Sequence, residues 1–218
     1  MAKSQLTKKQ TDFLDFVSGQ PQLHEAFYFS GGTALSEFYL HHRFSEDLDF
    51  FSETEFDTFA LSQFLLTRKN DFAAQSVQYQ QSFNRNLFFL DFADGANLKT
   101  EFTYYPFPRL EAGLSLGNLR IDSILDIAVN KTFTLCQQAR GRDYVDLFEI
   151  HRKYGFDFKE LLKLARMKFD YPINYLQLGK NLVKVTSFLD DPILLIDIDR
   201  NAIEHYFLEL ARSLDIVK

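Results

Sequence analysis

One cysteine, no tryptophan, five prolines and no long apolar run set the first limits on this chain of 218 residues. The lone Cys136 excludes an internal disulfide and any cysteine-rich zinc site, and reads as a small buried helix residue. No apolar stretch approaches the roughly 18 residues of a membrane span, and the first residues, Met1 to Asp12, are polar with scattered lysines. Neither a membrane segment nor a signal peptide is predicted, so a soluble, cytoplasmic protein is expected. Basic residues are scarce in one half only. Residues 1–108 hold 8 Lys and Arg against 14 Asp and Glu, net −6, whereas residues 109–218 hold 16 of each. Within 131–184 the balance is 11 basic to 6 acidic, which suits a phosphorylated partner or an ordinary solvated helical surface. Against the missing tryptophan stand 25 phenylalanines, expected to fill cores, with Tyr104 and Tyr105 left as candidates for stacking a base.

The patterning predicts an α+β protein with a mixed sheet lobe over 1–108 and a helical lobe over 109–218. Ala26 to Ser30 reads as a short buried strand, Gly31-Gly32 as a tight turn, and Thr33 to His42 as a helix opened by a Ser/Thr cap. Phe44 to Ser52 follows as a strand and Thr58 to Thr67 as a helix. Phe83 to Phe92 and Asn97 to Tyr105 flank Asp94-Gly95 as an antiparallel hairpin, closed by Pro106 and Pro108. After a short strand near Leu116 to Arg120, helices are expected over Ser123–Gln138, Tyr144–Tyr154, Phe158–Met167, Pro172–Leu189 and Ala202–Ile216.

The chemistry concentrates at two places. A strand has a period of two, so Asp47 and Asp49 leave one face of the second strand while Leu48 and Phe50 anchor the other. Adjacent carboxylates repel unless a cation lies between them, and a hard divalent ion with oxygen ligands, magnesium first, is the natural one. Alternation in Lys99-Thr100-Glu101-Phe102-Thr103 makes Glu101 a third inward carboxylate on a neighbouring strand. The glycine pair upstream lets backbone approach a ligand closely, and the helix start adds N–H groups that favour phosphate. Carboxylates converging beside a glycine turn are what metal-assisted nucleotidyl transfer requires.

Ser30-Gly31-Gly32-Thr33-Ala34-Leu35, followed by Arg43, Ser45, Asp47, Asp49 and Phe50, resembles the first motif of the nucleotidyltransferase superfamily as carried by the AbiEii/AbiGii toxins of type IV toxin-antitoxin systems. That family continues with a helix-borne lysine and an Asp-x-x-Asp motif, matched here by Asp126-Ile127-Ala128-Val129-Asn130-Lys131 and by Arg142-Asp143-Tyr144-Val145-Asp146. The resemblance spans residues 26–150. It implies that Asp47, Asp49 and Glu101 hold metal, that Ser30, Gly31, Gly32, Thr33, Arg43 and Ser45 meet the nucleotide, and that Lys131 meets its triphosphate. It further implies that Asp143 or Asp146 orients Lys131 or the substrate. Plainer readings stand beside these: Lys131 snorkelling from an apolar helix face, Asp143 and Asp146 pairing with Arg140 or Arg142 at a helix start, Arg43 and Ser45 capping. His41 and His42 read as cationic helix-end residues rather than metal ligands.

The expected protein is a magnesium-dependent enzyme moving a nucleoside monophosphate from an NTP to an acceptor hydroxyl, RNA or tRNA by resemblance, opposed by a cognate antitoxin. A small-molecule or protein acceptor is the second hypothesis. A non-catalytic nucleotide-binding regulator is the third, weakened by the joint presence of Asp47, Asp49 and Lys131.

Overall fold

Leu48, Phe50 and Ser52 are buried while Asp49 and Phe51 are half-covered, the alternation a strand takes when one face packs on a core. In the computed structural model, which describes residues 4–187 and 193–214, this strand lies inside a seven-stranded mixed sheet. The elements run α1 (Lys8–Gly19), α2 (Pro21–His24), β1 (Tyr28–Ser30), α3 (Gly31–Leu35) continued by a π turn (Ser36–Leu40), β2 (Leu48–Ser52), α4 (Thr58–Thr67), β3 (Ser76–Ser82), β4 (Arg85–Asp91), β5 (Asn97–Tyr104), β6 (Ser115–Leu116) and β7 (Leu119–Ile121). The helices α5 (Ile124–Gln137), α6 (Gly141–Tyr154), α7 (Phe158–Phe169), α8 (Tyr175–Val183) and α9 (Arg200–Ser213) follow. The fold is α+β, as its patterning predicts.

Strand order is β3-β4-β5-β2-β1-β7-β6, with β2 antiparallel to β1 and parallel to β5. Phenylalanines fix the register. Phe29, Phe50 and Phe102 are cross-strand partners in one fully buried row, the Phe50 and Phe102 rings stacked with centroids 4.7 Å apart. Phe13 of α1 meets Phe50 edge-on at 6.1 Å. The adjoining row, Ser30, Asp49 and Glu101, therefore points to the opposite face. A slip of one residue would exchange aromatic rings for carboxylates in the core, so the register that places the acids is strongly specified.

Two compact units are formed, Met1–Tyr39 with Ser45–Ser123 and Leu40–Phe44 with Ile124–Lys218. The first runs past residue 108, because Leu119–Ile121 pairs parallel to β1. The second has its own core, in which Leu135, Tyr144, Leu178, Leu182, Ile203 and Phe207 are fully buried. Cys136 lies in that core, where burial pushes its thiol up to about 12.

The second expected strand is shorter than its hydrophobic pattern. It begins at Leu48 rather than Phe44, because the Phe44 amide donates to Ile193 O at 2.9 Å and His42 O accepts from Leu195 N at 2.9 Å, which ties this stretch to the second unit. The first strand likewise starts at Tyr28, and the helix after it starts at Gly31 and ends in the π turn. Of the two last expected helices, α8 ends at Val183 in a 3-10 turn and α9 at Ser213; residues 188–189 and 215–216 lie outside the described residues. Among the described residues no helix is long and apolar enough to cross a membrane.

Candidate active site

The turn after β1 is built around Gly31. Its φ is +77°, a region that L side chains rarely adopt, and a Cβ there would stand 2.2 Å from Asp49 Oδ2. Asp49 thus lies directly against the glycine backbone. Ser30 and Thr33 are buried, and their hydroxyls are engaged: Ser30 donates to Asp122 Oδ2 at 2.7 Å, and Thr33 donates to Asp47 O at 2.5 Å. Asp122 also receives the Tyr39 hydroxyl on its carbonyl and donates its amide to Phe29 O. These bonds clamp the turn and the approach to β2. The amide of Gln10 on α1 completes the support, donating to Ser45 O at 2.9 Å and Glu46 O at 3.0 Å.

Asp49 sits directly opposite Glu101 in the parallel β2/β5 register. Asp47 precedes it by one strand period, and Lys99 Nζ donates to Asp47 Oδ2 at 2.7 Å. Glu101 accepts both Arg85 Nε at 2.6 Å and Nη2 at 2.5 Å, as well as the Thr103 hydroxyl at 2.8 Å. Burial pushes the Glu101 carboxyl up, but those hydrogen bonds and the charges of Arg85 and Lys99 outweigh it and hold it below the ordinary carboxylate range. Among the described residues no three His, Cys, Asp or Glu side chains converge tightly enough to form a metal group. In donor type and in shared face, Asp47, Asp49 and Glu101 do fit a hard divalent cation, two of them as immediate cross-strand partners. What holds two of the three oxygen sets is a pair of cationic side chains.

The second unit gathers the remaining motif residues. Lys131, nearly buried on α5, has its ammonium 3.1 Å from Asp143 Oδ1 and 2.5 Å from Asp146 Oδ2. Asp146 also receives Arg43 through Nε at 2.6 Å and Nη2 at 2.8 Å, and His42 through Nε2 at 2.6 Å. Burial pushes the Asp146 carboxyl up, yet Lys131 and Arg43 hold it well below the usual range. Asp143 is lowered by Lys131 and Arg140 against its own burial and the neighbouring Asp146 charge. Arg140 also donates its backbone amide to Asp143, closing a cap at the start of α6. Arg43, expected at a phosphate, thus places its guanidinium on Asp146, and His42 joins it. Their partnership with a residue about a hundred positions away leaves no local spacing signal.

The contacts of Lys99, Arg85 and Asp122 have no local signature in the sequence. Alternation along β5 puts Lys99 in line with Glu101, as expected, but its partner Asp47 depends on the β2/β5 register; Arg85 depends on the β4/β5 register, and Asp122 on the pairing of β7 with β1.

A mixed sheet with a glycine turn closing β1, a carboxylate on the neighbouring β2 and another on β5 beyond it is the arrangement of a nucleotidyltransferase. The chain belongs to the AbiEii family, nucleotidyl transferase toxins of type IV toxin-antitoxin systems, whose model matches residues 15–214. It is 35% identical over 168 residues to the uncharacterised protein aq_aa25 of Aquifex aeolicus strain VF5, covering 75% of this chain and 76% of that one. In fold it is similar to JHP933 of Helicobacter pylori, with a TM-score of 0.59 at 20% identity over 94% of this chain and 88% of that chain. A putative nucleotidyltransferase of H. pylori gives the same TM-score at 21% identity, over 94% and 91%.

Proposed function

We propose that this enzyme transfers a nucleoside monophosphate from an NTP to a hydroxyl of RNA, with tRNA as the first candidate, in the cytoplasm, as the toxin of a pair whose antitoxin is a separate protein. The observation that carries the reading is the row of Ser30, Asp49 and Glu101 against the Gly31 backbone. Asp47, Asp49 and Glu101 are the carboxylates that would hold magnesium, which supplies charge neutralisation for the pyrophosphate leaving group when bound. A carboxylate of this face takes the proton of the acceptor hydroxyl as its oxygen bonds to the α-phosphorus and the bond to the β-phosphate oxygen breaks. Gly31 and Gly32 offer backbone to the phosphates. Ser30 and Thr33 act behind them through Asp122 and the Asp47 carbonyl, and Gln10 steadies Ser45. In the helical unit Lys131 is the point charge proposed for phosphate, with Asp143 and Asp146 orienting its ammonium and Arg43 fixing Asp146.

The basic balance of residues 131–184, with Tyr171 and Tyr175 exposed among them, supports a polyanionic acceptor. Pyrophosphate release, followed for each NTP with and without total cellular RNA, tests the proposal. Release stimulated by RNA and falling steeply with salt is expected. Release indifferent to RNA would move the acceptor to a small molecule or a protein, and no release with any NTP would overturn the reading.

A further inference from the structure

We propose that Lys99 and Arg85 are exchangeable counter-ions of the carboxylate face: they hold Asp47 and Glu101 before a metal-nucleotide complex arrives, then release them to the divalent cation while their own charges pass to the triphosphate. This rests on the nucleotidyltransferase reading above and adds two positioning residues to it. Both cations are brought there by sheet register. Lys99 precedes Thr100 on β5 by one residue, as Asp47, just outside β2, precedes Leu48, the cross-strand partner of Thr100, and the Lys99 ammonium reaches Asp47 Oδ2 at 2.7 Å. Arg85 pairs with Thr103 and reaches back one strand period to bond both oxygens of Glu101.

Exposure separates these contacts from the buried ones. The Lys99 side chain is 28% exposed and Arg85 50%, so each head can leave its carboxylate for water or a phosphate without crossing an apolar environment. Arg43, at 3% against a fully buried Asp146, cannot. With Asp47 held by Lys99 and Glu101 by Arg85, a free divalent ion must displace an ammonium to reach Asp47 and a guanidinium to reach Glu101. An arriving triphosphate changes this, because its anionic oxygens accept the displaced cations. Metal and nucleotide then each favour the other's binding, and by linkage the two effects are equal.

Manganese, which suits the same oxygen ligands, is the probe, its free concentration read by electron paramagnetic resonance with and without a non-hydrolysable NTP analogue. Lys99→Met is expected to bind manganese alone about fivefold or more tightly than the wild type, and to lose most of the tightening that the analogue gives the wild type. Arg85→Met should move in the same direction, and Lys99→Arg should restore the wild-type pattern. If Lys99→Met does not fold, Lys99→Gln and Arg85→Met carry the test. Unchanged or weaker manganese binding in these variants, while the wild type binds manganese and Asp49→Asn does not, overturns the counter-ion role and leaves the enzyme reading standing. Absence of manganese binding to every form, even with the analogue, overturns both.

Discussion

Gly31 and Asp49 act as one structural unit, and two substitutions separate what each supplies. Gly31→Ala would place a methyl group on the Asp49 carboxylate and force an L residue to a φ of +77°. The left-handed backbone alone costs about 1–2 kcal/mol, and displacement of Asp49 adds to it. A lower urea midpoint with an unchanged slope, together with lost transfer, is the expected outcome; wild-type activity would show that Asp49 does not need the position observed. Asp49→Asn keeps shape and volume but removes the charge. It should leave the urea midpoint close to wild type and reduce transfer by about a hundredfold or more, the scale on which preorganised electrostatic groups act. At this scale the sequence was most legible, because strand alternation put Asp47 and Asp49 on one face; alternation also turned Glu101 inward on its own strand, but its place opposite Asp49 comes from the β2/β5 register. Arg43 and His42 were the opposite case, since their partner Asp146 lies beyond any local pattern.

Among the elements, α5 and α7 are joined by an ion pair with both side chains fully buried, Lys168 Nζ donating to Asp126 Oδ1 at 2.7 Å. Such a pair adds little net stability when intact, because desolvation offsets attraction, yet removing one member takes the opposite charge away from a buried ion. Lys168→Met should therefore lower unfolding free energy by about 3–5 kcal/mol, and adding Asp126→Asn should recover part of that loss. Additive losses in denaturant unfolding would contradict the coupling. Elements also show where patterning falls short. The β4/β5 hairpin and the five C-terminal helices were readable from periodicity, with most ends shifted by up to three residues and α8 ending at Val183, six short of the expected Leu189, which with the last expected residues of α9 lies outside the described residues. The strand β3, Ser-Val-Gln-Tyr-Gln-Gln-Ser, was not, because an edge strand facing solvent needs few apolar residues. Helix α1 is absent from the expected elements although its start carries a sequence signal. Thr7-Lys8-Lys9-Gln10 is a capping box, and the structure forms both of its reciprocal bonds.

Across the whole molecule, the chain leaves the sheet unit at Leu40 and returns to it at Ser45, and the intervening stretch is anchored by Arg43 and His42 on Asp146. The Asp146 carboxyl is held well below its ordinary value in the fold. A depressed carboxyl contributes stability that is present above the unfolded value of about 3.9 and is lost as pH falls through the folded one. Wild-type urea midpoints should hold near neutrality and fall steeply below about pH 4. Asp146→Asn should be destabilised at neutral pH by about 3–5 kcal/mol and show a shallower acid limb; equal limbs would remove Asp146 from this role. The same molecule sets acidic charge in its sheet half against basic charge in 131–184, and the sequence showed that division without showing how the helical residues are used.

The proposed transfer chemistry lies at the Asp47, Asp49 and Glu101 face. Its most direct test is incubation of purified protein with magnesium, total cellular RNA and each NTP labelled at the α-phosphate, with Asp49→Asn alongside. Label entering a tRNA-sized band with the wild type and not with Asp49→Asn is the predicted result. Equal labelling by the two proteins, or none by either with any RNA, small-molecule or protein acceptor, would contradict it.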